Sequence, residues 1–221
     1  MLRTALALLA TAALLATPAG AQADARARAD LEALRARYEA GGVLEADVRL
    51  EIELPDQPAE AQTGRILQDG ERFRVEFAGQ HVISDGATVW VFLPDNLEVQ
   101  VYDAAESTGL AGGGFLRPQD ILGMVESDDF EYAVTAEPVE DGVALRQVEF
   151  KPADRDAEFA KIRLTYDPAA REVRRVRVFN KDGSRFALTL TAARTGGEAA
   201  PGAFVFDADA YPGVSVEDMR L

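Results

Sequence analysis

No cysteine occurs anywhere in the 221 residues. Disulfide frameworks, thiolate zinc sites, iron–sulfur clusters and cysteine nucleophiles are thereby excluded together. Histidine is nearly as scarce: His81 stands alone, and imidazole is the usual general base and the commonest metal ligand. Bases are in deficit, with 23 Lys and Arg against 38 Asp and Glu and a formal net charge of −15. A surface of that sign repels nucleic acid and anionic headgroups at long range, so no nucleic-acid partner is expected. Apolar runs of membrane-spanning length are also lacking. What is there is ordinary globular composition, 48% hydrophobic and 28% charged, which supports a folded chain and points to binding rather than acid–base or metal chemistry.

The first residues read Met1-Leu2-Arg3, followed by an apolar run over residues 5–16 and then Thr17-Pro18-Ala19-Gly20-Ala21. A cationic start, an apolar middle and small residues at Ala19 and Ala21 are the pattern of a secretory signal peptide, residues 1–21, cleaved before Gln22. The run falls short of the roughly 20 apolar residues that a bilayer core takes, which argues against an anchor. No cysteine follows the cleavage site, so no lipid-anchored N-terminus is expected. Removing residues 1–21 takes away one Arg and no acid, leaving 22 bases against 38 acids and a charge of −16. The expected product is a soluble, acidic protein outside the cytoplasm, residues 22–221 forming one domain.

Residues 23–38 are rich in Ala, Arg, Leu and Glu, with Leu31, Leu34 and Tyr38 at helical spacing, and predict an amphipathic helix ended by Gly41-Gly42. The period then changes to two. Leu44, Ala46, Val48, Leu50, Ile52 and Leu54 alternate with Glu45, Asp47, Arg49, Glu51 and Glu53, the pattern of a strand with one wet face. Short β segments follow around residues 64–68, 73–77, 82–83, 89–93, 99–102, 132–134, 143–150, 162–166, 173–179 and 186–190. Turn signals such as Gln68-Asp69-Gly70, Ser84-Asp85-Gly86, Glu140-Asp141-Gly142 and Lys181-Asp182-Gly183 separate them. Sequential hairpins of this kind predict a strongly curved antiparallel sheet or an up-and-down barrel. One long interruption, residues 103–128, is glycine-rich and then apolar, and reads as a helical lid or a plug.

Catalytic signatures are missing. Asp128-Asp129 is one of the adjacent acid pairs that 38 acids generate easily, Gly112 to Gly114 are not followed by the Lys-Ser or Lys-Thr of a phosphate loop, and no serine sits in a glycine-flanked elbow. No enzyme activity, metal or cofactor is therefore expected. Aromatic residues are more informative, because residues 89–93 are apolar on both faces and a strand of that kind must be covered on each side. Together with the lid-like insertion they suggest a sheet curved around an apolar cavity.

The order of these elements resembles that of the periplasmic outer-membrane lipoprotein carrier family, LolA. The resemblance is carried by Val82-Ile83-Ser84-Asp85-Gly86 ahead of Val89-Trp90-Val91-Phe92-Leu93-Pro94, and by Phe204-Val205-Phe206 ahead of Pro212-Gly213-Val214-Ser215-Val216-Glu217-Asp218. It implies a mainly β, α+β fold: an unclosed β-barrel of about eleven antiparallel strands covered by an N-terminal helix and a helical lid. It also implies a monomeric carrier of acylated lipoproteins, loaded by an inner-membrane lipoprotein-releasing ABC transporter and unloaded at an outer-membrane acceptor. Expected cavity residues are Leu50, Ile52, Phe73, Val75, Phe77, Trp90 and Phe92, and expected lid residues are Leu110, Phe115, Leu116, Ile121, Leu122 and Met124. Carriers of this family have an Arg-Pro pair whose arginine holds the lid shut. Here residues 68–71 are Gln-Asp-Gly-Glu, and Arg72 or Arg74 is the nearest substitute. That departure keeps open a second reading, a related periplasmic lipid-binding or envelope-stress-sensing protein with another cargo or partner.

Overall fold

The computed structural model describes residues 19–40, 42–105, 122–124, 127–157 and 159–220. One helix, α1 (Ala19–Glu39), precedes a series of strands. These are β1 (Leu44–Glu53), β2 (Glu60–Asp69), β3 (Arg72–Phe77), β4 (Gln80–Ser84), β5 (Thr88–Leu93) and β6 (Glu98–Asp103), then β7 (Phe130–Ala136), β8 (Val139–Glu140), β9 (Val143–Ala144) and β10 (Arg146–Pro152). They end with β11 (Phe159–Asp167), β12 (Glu172–Asn180), β13 (Arg185–Thr195) and β14 (Ser215–Asp218). Within the described residues helix α1 runs from Ala19, ahead of its apolar periodicity, through alanines that are strong helix formers. The rest of the expected signal peptide, residues 1–18, lies outside the described residues.

Twelve strands form one sheet in the order β14-β6-β5-β4-β3-β2-β1-β13-β12-β11-β10-β7. It is curved and unclosed, since β14 and β7 are its two ends and do not pair with each other. Every pairing is antiparallel except β14 with β6, which is parallel. A strand at the chain's end reaches that position only by a long connection, and residues 196–214 supply it, crossing from the middle of the sheet to its edge. The hairpin β8–β9 stands apart as a two-stranded piece. Its turn residues, Asp141 (φ 50°) and Gly142 (φ 80°), both lie in the left-handed region, as the two-residue turn that matches strand twist requires.

The main core lies between α1 and one face of the sheet. Ala27, Leu31 and Leu34 of α1 are fully buried against Val48, Ile66, Val75, Val148, Leu164, Val176 and Leu190. Fully burying a leucine side chain stabilises by about 1.5–3 kcal/mol, so Leu31 and Leu34 alone anchor α1 firmly.

Candidate functional site

Cross-strand partners share a face, and the register therefore sorts the side chains into two sets. Val48 pairs with Gly64 and Gly64 with Phe77, while Ala46, Ile66, Val75, Val82 and Val91 form the next row. On the other flank Leu188, Val176, Leu164, Val148 and Val134 form a row, and Phe186, Val178, Ile162, Phe150 and Tyr132 another. This is the inner face, the one that α1 covers. Gly64 is required here: a Cβ at that position would stand 2.2 Å from the Glu76 carbonyl oxygen and 2.7 Å from the Phe77 ring, so the ring lies where a side chain would otherwise be.

Polar ties fasten α1 along its length. Arg28 Nε donates to the Tyr132 hydroxyl at 3.0 Å, and Arg37 Nη1 donates to the Ala170 carbonyl at 2.6 Å while its Nη2 pairs with Glu172 at 3.1 Å. The Val173 amide donates to the Tyr38 hydroxyl at 3.4 Å. Beneath the helix, Asp30 accepts from Arg146 and from the buried Tyr166 hydroxyl, the latter at 3.4 Å. Burial and the Asp30 charge push the Tyr166 phenol well above its ordinary range, and burial raises the Tyr38 pKa. Burial opposes the charge of Arg146, but Asp30 and Glu137 outweigh it and raise its pKa. Tyr38 and Tyr166 are thereby held neutral and Arg146 charged, so their ties are structural.

The inner face is sealed at one end and half-open at the other. Toward the C-terminal end of α1 its apolar side chains are buried, whereas Leu50, Ile52, Phe77, Val82, Val91 and Leu93 are half-buried, as are Phe130, Tyr132, Phe159 and Phe186. The register gathers these at one end of the strands: Ile52 pairs with Phe186, Phe186 with Val178, Val178 with Ile162, Ile162 with Phe150, and Phe150 with Tyr132. Phe130 stacks on Phe159 with centroids 6.2 Å apart, and Tyr132 lies 5.7 Å from Phe150. The opposite flank of this mouth carries exposed Glu60, Gln62 and Gln80. An aromatic wall thus faces a polar rim across the half-open end of the inner face.

Of the expected cavity residues, Leu50, Ile52 and Phe77 lie half-buried at this mouth, and Phe73 and Val75 are buried in the core on the same face. Trp90 and Phe92 require a correction. They pair with Ile83 and His81, one residue out of phase with the Val82–Val91 row, and so occupy the outer face. There Phe92 is buried against Tyr211 (4.4 Å) and Phe206 (5.1 Å), with His81 edge-on at 5.6 Å. Val82, Val91, Leu93, Phe130, Tyr132, Phe159 and Phe186 were missed as mouth residues; alternation from a correctly paired strand marks all of them but Phe159, which a register shift between Phe159 and Lys161 turns inward. Of the lid, Leu110, Phe115, Leu116 and Ile121 lie outside the described residues, while Leu122 and Met124 are buried in the main core.

A strap of residues 196–214 covers the outer face of β3–β6. Arg74 donates to the carbonyls of Ala203 (2.8 Å) and Val205 (3.3 Å), and the Arg72 guanidinium lies 5.0 Å above the Phe204 ring while pairing with Asp69. Both arginines thus clamp the strap on the outer face rather than a lid on the inner one, which corrects the expectation that either holds a lid closed. Beyond the strap, the amides of Ser215 and Met219 donate to Leu97 and Val101 and fix β14 at the edge. A cavity of about 620 Å³ lies between strap and sheet, with Asp69, Arg72, Asp85 and Glu198 on its wall beside apolar strap residues such as Pro201, Phe204 and Val205.

Among the described residues no cluster of three or more potential metal ligands occurs, and no helix is long and apolar enough to cross a membrane. Several solved structures are similar to this chain. An uncharacterized conserved protein from Thermus thermophilus aligns over 87% of this chain and 98% of its own, with 12% identity and a TM-score of 0.56. A LolA superfamily protein from Nitrosomonas europaea aligns over 81% and 97%, with 15% identity and a TM-score of 0.43. A DUF1329 family protein from Desulfovibrio piger aligns over 84% and 98%, with 13% identity and a TM-score of 0.45. No curated protein matches the chain. The family model described as outer membrane lipoprotein carrier protein LolA matches residues 57–207, a span running from the edge of the mouth to the strap and covering more than half of the sequence, and the chain belongs to that family.

Proposed function

We propose that the protein is a periplasmic carrier that shelters the acyl chains of lipoproteins at the half-open end of its inner face. The observation that carries this reading is the mouth itself, a wall of half-buried aromatic and aliphatic side chains opposite a polar rim, in a sheet whose other end is sealed by a firmly tied helix. Family membership supports cargo loading from an inner-membrane lipoprotein-releasing ABC transporter and delivery to an outer-membrane acceptor, with the protein acting as a monomer. Transfer sets a limit on affinity. Each buried methylene contributes about 0.8 kcal/mol, so a fully enclosed long chain would be held too tightly to hand on, and a half-open mouth suits a carrier better than a closed cavity.

The commitment of Arg72 and Arg74 to the strap favours a second reading, a related periplasmic protein with a different lipid cargo or a polypeptide partner. Photo-crosslinkers at Leu50, Ile52 and Phe77, with outward Glu51 and Glu53 as controls, separate the two. Capture of acylated lipoproteins from the inner positions alone is the expected result. Capture of an unacylated polypeptide there supports the second reading, and labelling only from Glu51 and Glu53 refutes a cavity in either form.

A further inference from the structure

Charge is unevenly distributed in this acidic chain. Residues 146–194 hold 12 of the 23 Lys and Arg but only 7 of the 38 Asp and Glu. Strand alternation brings Lys161, Arg163, Arg175, Arg177 and Phe179 to the outer face of β11 and β12, since Ile162, Leu164, Val176 and Val178 take the inner one. Three of the four cations are matched. Glu149 binds Lys161 (3.0 Å) and Arg163 (2.9 Å), and Glu140 binds Arg175 through both oxygens (3.0 and 3.4 Å).

Arg177 is not matched. Its cross-strand neighbours are Arg163 on one side and Ala187 on the other, and its Nε is buried with no acceptor among the described residues. Like charges directly opposite one another are unfavourable, and no carboxylate among the described residues pairs with Arg177, so an anion arriving at its terminal Nη groups meets an unpaired cation. The fold shows how one is supplied next door: Glu140 comes from β8, a short extended segment, and its carboxylate sits on Arg175. Arg175, Arg177 and Phe179 repeat at intervals of about 6.6 Å, and an extended chain laid alongside repeats its own side chains at the same interval.

The geometry points to a docking seat on this face for an extended acidic segment of a partner protein. One carboxylate accepts from Arg177 and relieves its juxtaposition with Arg163, and an apolar side chain two residues on rests at Phe179, whose ring already lies beneath Lys161 (4.9 Å) and Arg163 (5.0 Å). An anionic bilayer suits the face less well, because Glu137, Glu140 and Asp141 of the neighbouring hairpin segment would meet lipid phosphates. The seat lies on the face opposite the acyl mouth and does not depend on it.

The test is a fluorescence-anisotropy titration of the mature protein with a fluorescein-labelled peptide of repeating Glu-Thr-Val-Thr units, which sets a valine two residues after each glutamate, in parallel with inorganic phosphate and phosphatidylglycerol vesicles. The peptide is expected to bind, more weakly as salt is raised. Arg177→Gln is expected to lower its affinity by about tenfold or more, the effect of losing a hydrogen bond between charged groups, with the melting temperature unchanged. Arg194→Gln, which removes an exposed cation paired with Glu45, should have little effect. Should Arg177→Gln melt early, Arg177→Lys, which keeps the charge and lacks the guanidinium fork, must still weaken binding. The proposal is overturned if the peptide does not bind, if the two glutamine variants weaken it equally, or if phosphate or vesicles show the Arg177 dependence and the peptide does not.

Discussion

At the scale of single residues, two carboxylates make stability depend on acid. Glu149 is largely buried, which alone would raise its pKa, but the hydrogen bonds from Arg163 and Lys161 outweigh burial and hold it below the ordinary glutamate value. Asp167 caps the turn between β11 and β12. Burial again works upward, and the Ala170 amide (2.9 Å), Arg174 (3.2 Å) and the Ala169 amide (2.9 Å) together bring its pKa below normal. A carboxyl with a depressed folded pKa contributes stability above its unfolded pKa, about 4, and that contribution is lost as pH falls through the lower folded value. Glu149→Gln and Asp167→Asn should therefore lower the urea midpoint clearly at pH 7 and by progressively less as pH falls below 4. A deficit that stays constant with pH would show that shape, not charge, is what these side chains provide.

At the scale of elements, the strap is the feature that divides the molecule. Its attachment is polar on one side, through Arg74 and Arg72, and aromatic on the other, through Phe92, Phe206 and Tyr211. Arg74→Ala removes two donors to strap carbonyls and should cost roughly 1–2 kcal/mol locally. Hydrogen exchange is the measurement. The amides of Ser215 and Met219, which hold β14 to the sheet, should exchange faster, while those of Leu164 and Val176 in the main core should not. Uniform acceleration would mean that strap and sheet open as one unit.

Most of the strands were legible because they alternate, and β1 shows it best: five charged residues on one side fix which face is wet. β5 shows the limit. Residues 89–93 are apolar throughout, so their own pattern carries no facing, and only pairing with β4 decides that Val89 and Val91 face inward while Trp90 and Phe92 face out. The cover on that side was equally hidden, since residues 196–214 have no strand period and their aromatics find Phe92 only through the fold. β14 was invisible for a related reason, being four exposed residues with a parallel partner more than a hundred positions earlier. The mouth was read in part: the β1 and β3 positions followed from alternation, whereas Phe130, Phe159 and Phe186 join them through the register of β7 to β13.

At the scale of the whole molecule, the sheet is a partition between two apolar compartments, one under α1 and one under the strap. Cargo is assigned to the first, and the chain's single tryptophan, Trp90, belongs to the second. That separation supplies a direct optical test, because bromine atoms on an acyl chain quench indole emission on contact and a layer of backbone with its side chains intervenes. A brominated long-chain acyl ligand should bind while leaving the emission of Trp90 nearly unchanged. Moving the probe should reverse the outcome: in a Trp90→Phe, Phe77→Trp double variant the indole stands at the mouth and should be strongly quenched by the same ligand. Phe77 sits over Gly64, which leaves room for a flat ring at that point of the sheet. Quenching of native Trp90, with none from residue 77, would place the acyl chain under the strap, and the inner mouth would lose its assignment as the cargo site.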